Sequence, residues 1–172
     1  MEHYLEWKDP YPLKPSDIKS EPNSQEVMIA GIFTKANFLD LIQNFIVFEP
    51  MDGRVIKKLA RYQQFRAVHK TIERIKTGKT QKDRGGVIWH TQGSGKSLTM
   101  VFLAVKMRRD PILKEYKLVF ITDRIQLDNQ LTSTFDRTQG ETVHHAKSVS
   151  NLKELLQKDS SDLVTAMMQK FQ

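Results

Sequence analysis

Gly85-Gly86-Val87-Ile88-Trp89-His90-Thr91-Gln92-Gly93-Ser94-Gly95-Lys96-Ser97-Leu98-Thr99-Met100 is the stretch whose reading decides the fold. It predicts a short apolar strand over Val87, Ile88 and Trp89, a glycine-containing loop, and a helix beginning near Lys96. Its core, Gly93-x-Gly95-Lys96-Ser97, is the diagnostic half of a phosphate-binding loop. Glycines let the backbone turn tightly and bring its N–H groups against phosphate oxygens. The helix that follows aims the positive end of its dipole at the same anion. Thr91, Gln92, Gly93, Ser94, Gly95 and Leu98 would complete the cradle. Lys96 would place a cation on the β- and γ-phosphates, and the Ser97 hydroxyl would ligate Mg²⁺. His90 stands where such loops usually begin with Gly or Ala, and is read as a variant.

Outward from the loop, Leu98, Met100, Val101, Phe102, Leu103, Ala104, Val105 and Met107 make the following helix apolar on nearly every face, as for a helix buried against a sheet. A connection near Asp110-Pro111 leads to an expected strand, Lys117–Thr122, and then to a helix from Ile125 to Phe135 capped by Asp123. A short strand over 142–146, a helix carrying Leu152, Leu155 and Leu156 with Ser150 as its cap, and a strand over 162–168 follow. Alternating strands and helices predict an α/β fold, a parallel sheet with right-handed crossovers and helices on both faces. Nucleotide would sit at the carboxyl ends of its strands.

Before the loop the chain changes character. Pro10, Pro12, Pro15 and Pro22 predict an irregular arm over residues 1–26, with Trp7 and Tyr11 as candidate anchors. Glu6-Trp7-Lys8 has the Glu-x-Lys spacing of metal-dependent nucleases, but no strand bearing a partner Asp precedes it. One amphipathic helix is expected within 27–48, with Phe38, Leu41, Ile42, Phe45 and Ile46 inward and Asn37, Asp40, Gln43 and Asn44 outward. A turn at Glu49–Gly53 follows. A second helix over 59–77 would bury Phe65, Val68, Ile72 and Ile75 and stop at Gly78. Its basic residues, together with Lys57 and Lys58, read as a solvated face with the capacity to touch a phosphate backbone.

The 172 residues carry a formal charge of +7, a pI near 9.6, 39% hydrophobic and 27% charged residues, enough for a soluble core and suited to a polyanionic partner. The sequence has no cysteine, which excludes disulfides and thiolate metal sites and agrees with a cytoplasmic location. No apolar run approaches the ~20 residues that span a bilayer, so no membrane partner is expected.

Further stretches narrow the class. Leu5–Pro12, Asn44–Glu49, Lys57–Val68, Trp89–Ser97 and Thr122–Leu131 resemble the central part of the R (restriction and motor) subunit of type I restriction-modification enzymes, an ATP-dependent DNA translocase of the superfamily 2 helicase type. The resemblance covers nearly the whole chain, and His90 is usual in that family. It implies a RecA-like P-loop fold that binds ATP and Mg²⁺. Residues 1–54 would be a linker and helical segment joining a nuclease domain, and residues 55–172 the first part of motor domain 1, ending before the Walker B motif. Gln64, with Gln63 second, matches the adenine-reading glutamine; a primary amide can accept from the adenine amino group and donate to N7. Asp123-Arg124 and on to Gln130 resembles the segment that follows DNA in such motors, where Arg124 would meet either a DNA phosphate or an intramolecular carboxylate. Gln169-Lys170-Phe171 resembles the next helicase motif, with Lys170 as its candidate DNA contact, although Met167 replaces the threonine common just before it.

The implied partners are double-stranded DNA and the methylation and specificity subunits. The sequence is expected to be an internal piece of a longer polypeptide that binds nucleotide but, alone, hydrolyses it poorly. Two other readings stand beside this one: a small P-loop kinase or other NTPase, for which no lid or acceptor pocket is found, and a scaffold with a vestigial nucleotide site.

Overall fold

In the computed structural model, which describes residues 5–51, 53–123, 135 and 143–171, the elements run α1 Pro15–Ile18, α2 Ser24–Ile32, α3 Lys35–Asn44, β1 Ile46–Met51, β2 Arg54–Leu59, α4 Tyr62–Thr77, α5 Gln81–Arg84, α6 Lys96–Arg109, β3 Leu118–Thr122, β4 Val143–His145, α7 Val149–Gln157 and β5 Leu163–Met167, then a 3₁₀ turn, Met168–Phe171. The chain divides into two units, one of Met1–Val47 with Lys57–Ser94 and one of Phe48–Ile56 with Gly95–Gln172.

In the first unit the proline-rich arm is not loose. Trp7 is buried, its indole N–H donating to the Asp9 carbonyl at 2.7 Å, and its ring lies 5.7 Å from that of Phe65 on α4. Gly31 of α2 makes room for it: a methyl at that position would meet the Trp7 ring nitrogen and come within 2.6 Å of the Asp9 carbonyl. Gly31→Ala is therefore expected to lower stability by about 1–3 kcal/mol, read as a fall in the urea midpoint, whereas Ala at a roomy mid-helix glycine would raise it.

The amphipathic segment differs from expectation. It forms two helices, α2 capped by Asn23, whose side chain accepts from the Glu26 N–H, and α3. Leu41 and Phe45 are inward as predicted, but Phe38 and Ile42 are exposed, and Asn37 and Asn44 are buried. Polar partners explain the rotation. The Asn37 amide donates to the Tyr11 and Gly31 carbonyls, and Asn44 donates to Asp40, which in turn holds His69 of α4 at 2.7 Å. Each buried amide is satisfied, so burying it does not carry the penalty of an unpaired group. The turn expected at Glu49–Gly53 is the tip of a two-stranded hairpin, β1 with β2, in which Gly53 takes φ +74°.

The second unit holds a three-stranded parallel sheet in the order β3-β5-β4, with Leu118 opposite Leu163 and Val143 also opposite Leu163. The α/β class and parallel sheet expected from the sequence are thus present. Leu163, Val164, Thr165 and Ala166 are all buried, so both faces of the central strand are covered, as in sheets flanked by helices. Leu152 and Leu155 of α7 join Ala146, Val164 and Ala166 in one apolar cluster, and Val101, Phe102, Ala104 and Val105 make α6 a buried helix as predicted. The cap of α7 is Ser148, which accepts from the Asn151 N–H, and not Ser150, because the helix begins two residues earlier than expected. The predicted helix over 125–135 lies outside the described residues apart from Phe135, which is buried 5.1 Å from the Phe120 ring.

Asp162 precedes β5. The Ser160 hydroxyl, which donates to it, and then the nearby charges of His144, Lys158 and Lys117 hold its carboxyl below the ordinary aspartate range. A depressed folded-state value means stability that is complete above the ordinary range and is lost as the pH falls through the depressed one. Replacing Asp162 by Asn should therefore narrow the difference in urea midpoint between about pH 6 and about pH 3.

Candidate nucleotide site

The predicted strand over Val87, Ile88 and Trp89 does not form. The segment runs without regular structure, and Val87 and Trp89 are 90% and 89% exposed. A strand exists only through its neighbour, and β3, β4 and β5 pair with one another, leaving this run with no strand beside it among the described residues.

The glycine loop itself is well defined locally. In the first unit, Ser94 closes a turn onto the Thr91 carbonyl, its N–H at 3.3 Å and its hydroxyl at 2.7 Å. Gly93 has φ +76°, a conformation other residues adopt only with strain, and a Cβ there would meet nothing within 4 Å. Thr91, Gln92 and Gly93 are exposed and Ser94 half-buried. In the second unit, Gly95 is the N-cap of α6 in the left-handed region, φ +81° and ψ 40°, and no side chain caps the helix there. Its carbonyl accepts from the Thr99 N–H and hydroxyl, which fixes the first turn. Lys96 is exposed at the first helical position, Ser97 and Leu98 are half-buried, and no acidic residue lies in that turn to compete for an anion. A helix that opens on a left-handed glycine, with no side-chain cap at that glycine and no carboxylate in its first turn, suits a phosphate.

Gln64 of α4 is buried, 2% exposed. Its carbonyl oxygen accepts from the Arg61 N–H at 2.8 Å in a capping arrangement, and its amide nitrogen lies 3.5 Å from the Ser94 carbonyl. The structure thus brings the predicted adenine reader to the loop within the first unit. Gln63 is exposed and borders two cavities, of about 520 and 630 Å³. Of the basic face of α4, Arg66 meets Asp9 at 3.5 Å and Arg74 donates to the Asp83 carbonyl at 2.7 Å, so these two guanidiniums serve the fold. Sequence reasoning missed both partnerships; Asp9 is 57 residues from Arg66, and no local pattern pairs them.

The remaining candidates are dispersed. Lys170 sits half-buried on the 3₁₀ turn, and Arg124 lies outside the described residues. Glu6 accepts from the Ser24 hydroxyl at 2.9 Å and pairs with Lys8 at 3.3 Å, and no cluster of three or more metal-ligating side chains occurs among the described residues. No helix among the described residues is long and apolar enough to cross a membrane.

With an α/β sheet unit and a glycine loop opening onto a buried helix, the class of protein can be stated. The SWI2/SNF2 ATPase family model matches residues 63–172, and the chain belongs to that family. Among individual relatives, the chain is 36% identical over 153 residues to the "Putative type I restriction enzyme MjaIXP endonuclease subunit" of Methanocaldococcus jannaschii, covering 86% of this chain and 14% of that protein. It is 35% identical over 151 residues to the type I restriction enzyme HindI endonuclease subunit of Haemophilus influenzae, covering 84% of this chain and 14% of the relative. The chain therefore spans about a seventh of the length of these relatives.

Proposed function

We propose that the chain is part of the ATP-dependent, DNA-translocating endonuclease subunit of a type I restriction-modification system, with residues 1–54 a linking segment and 55–172 the opening part of a RecA-like motor domain. The observation that carries this reading is the loop around Ser94. Gly93 and Gly95 both take positive φ, and Gly95 opens a helix that no side chain caps, with a lysine and a serine as its first two residues.

The residues fit a magnesium nucleotide. Thr91, Gln92, Gly93, Ser94 and Gly95 would present backbone N–H groups to the phosphates, Lys96 would neutralise their outer oxygens, and Ser97 would hold the metal through its hydroxyl, with Leu98 in the same first turn. Gln64 would turn its amide from its internal partners to the adenine edge, with Gln63 beside it. When bound, Mg²⁺-ATP supplies the phosphoryl group whose transfer to water drives movement. Arg124 and Lys170 would contact the DNA backbone. The methylation and specificity subunits are the expected partners in the cytoplasm.

The test is ATP hydrolysis, with and without duplex DNA, by a chain extended beyond residue 172. Stimulation by duplex DNA is the expected result. Binding without stimulation would favour a kinase-like NTPase, and absence of nucleotide binding a scaffold; either would overturn the motor reading.

A further inference from the structure

The arm grips α4 over two helical turns. Trp7 packs on Tyr62 and Phe65, at 6.4 and 5.7 Å between ring centroids, and Tyr11 packs on Phe65 and His69, at 6.4 and 5.3 Å. One charged side chain closes the grip. Arg66 lies with its guanidinium carbon 4.2 Å from the centre of the Tyr11 ring and its Nε 3.5 Å from Asp9 Oδ2. Asp9 in turn accepts from the Tyr11 N–H at 3.0 Å, so the arm presents the ring and the carboxylate to Arg66 as one rigid unit. The Tyr11 carbonyl is fixed from its other side by Asn37 at 2.5 Å.

Two residues before Arg66, on the same helix, stands Gln64 with its amide at the Ser94 carbonyl. A helix is stiff, and an amide carried about 6 Å from the axis moves about 2 Å when the helix turns by about 20°. The contacts with Trp7 and Tyr11 hold the helix along its length, but apolar ring contacts are weakly directional. The Arg66 contacts add an azimuthal preference: its cation sits over one face of the Tyr11 ring, and the carboxylate 3.5 Å away draws the guanidinium to that same side.

We propose that Arg66, held by Asp9 and Tyr11, is a positioning residue for base selection: it sets the rotation of α4 and thereby the aim of the Gln64 amide at the nucleobase. This rests on the nucleotide reading above and deepens it. Arg66 touches no nucleotide in this scheme; it acts through the helix. The triphosphate tail is held elsewhere, by backbone groups of the glycine loop and by Lys96, so base selection and phosphate grip should be separable.

The experiment measures dissociation constants of the full chain for ATP, GTP and inorganic tripolyphosphate, each with Mg²⁺. Arg66→Met keeps the aliphatic stem and removes both the ring contact of the cation and the ion pair; Asp9→Asn removes the ion pair alone; Arg66→Lys restores the cation. The ATP-over-GTP preference is expected to fall about tenfold in Arg66→Met, consistent with the cost of a misaimed group. It should fall less in Asp9→Asn and recover in part in Arg66→Lys, while tripolyphosphate affinity stays at the parent value in all three. A preference unchanged in Arg66→Met and in Asp9→Asn would overturn the proposal, as would tripolyphosphate affinity falling in parallel, which signals general loosening. The underlying nucleotide reading fails separately: there the parent chain itself would bind neither ATP nor tripolyphosphate.

Discussion

Lys96→Ala is expected to weaken binding of Mg²⁺-ATP at least tenfold and, in an extended chain that hydrolyses ATP, to lower turnover by about 10²- to 10³-fold, the usual cost of losing one donor aimed at developing charge. The argument is electrostatic. The proposed site gathers helix N–H groups and one cation on a highly charged phosphate tail, and hydrogen bonds to ionised partners are roughly twice as strong as neutral ones. Lys96 is exposed at the start of α6 and its loss opens no cavity, so the unfolding free energy should change by far less than in a core truncation. Lys96→Arg should recover little, because a planar fork cannot take the place of a compact ammonium. Calorimetric titration with Mg²⁺-ATP checks the first part; unchanged binding in Lys96→Ala would remove the nucleotide site from the molecule.

The second large effect is on stability. Phe65 is 1% exposed and stands at the centre of the first unit, its ring 4.7 Å from Phe45, 4.4 Å from His69 and 5.7 Å from Trp7. Phe65→Ala should cost about 3–5 kcal/mol, the transfer term plus the hole left behind. Domain stabilities are typically about 5–15 kcal/mol, so this is a large fraction of the whole. Phe38→Ala makes the contrast. That ring is 41% exposed and stacks only on Phe33 among the ring contacts described, and its removal should cost less than about 1 kcal/mol. Urea titration of both variants decides whether the inward face of α3 is the one carrying Leu41 and the two asparagines.

The contrast also locates where the sequence was readable. The glycine loop was legible because its residue types are dictated by local geometry: Gly93 and Gly95 do take positive φ, and α6 starts at Lys96. The sheet was legible because short apolar runs alternate with helical ones. The hairpin β1–β2 was not seen, although Asp52-Gly53 is a strong hairpin signal; Pro50 and the charged residues of β2 hid the alternation. The rotation of α3 was illegible for another reason. Asn37 and Asn44 look polar in a helical projection, and only the Tyr11, Gly31 and Asp40 groups that satisfy them make burial cheap. Val87–Trp89 has strand composition without a paired neighbour among the described residues, and composition cannot supply one. In the candidate site, the approach of Gln64 to Ser94 spans 30 residues and was reachable only through the family resemblance.

The order β3-β5-β4 bears on how the chain is made. β5 is the middle strand yet the last of the three to leave the ribosome, some 40 residues after β3. At about 5–20 residues per second, β3 waits about two to eight seconds with its hydrogen-bonding edge unmatched. During that interval Leu118-Val119-Phe120-Ile121 is an apolar ribbon open to other nascent chains. Slower translation between codons 123 and 162 should therefore raise the share of insoluble product, and a chaperone that binds extended apolar segments should restore the yield.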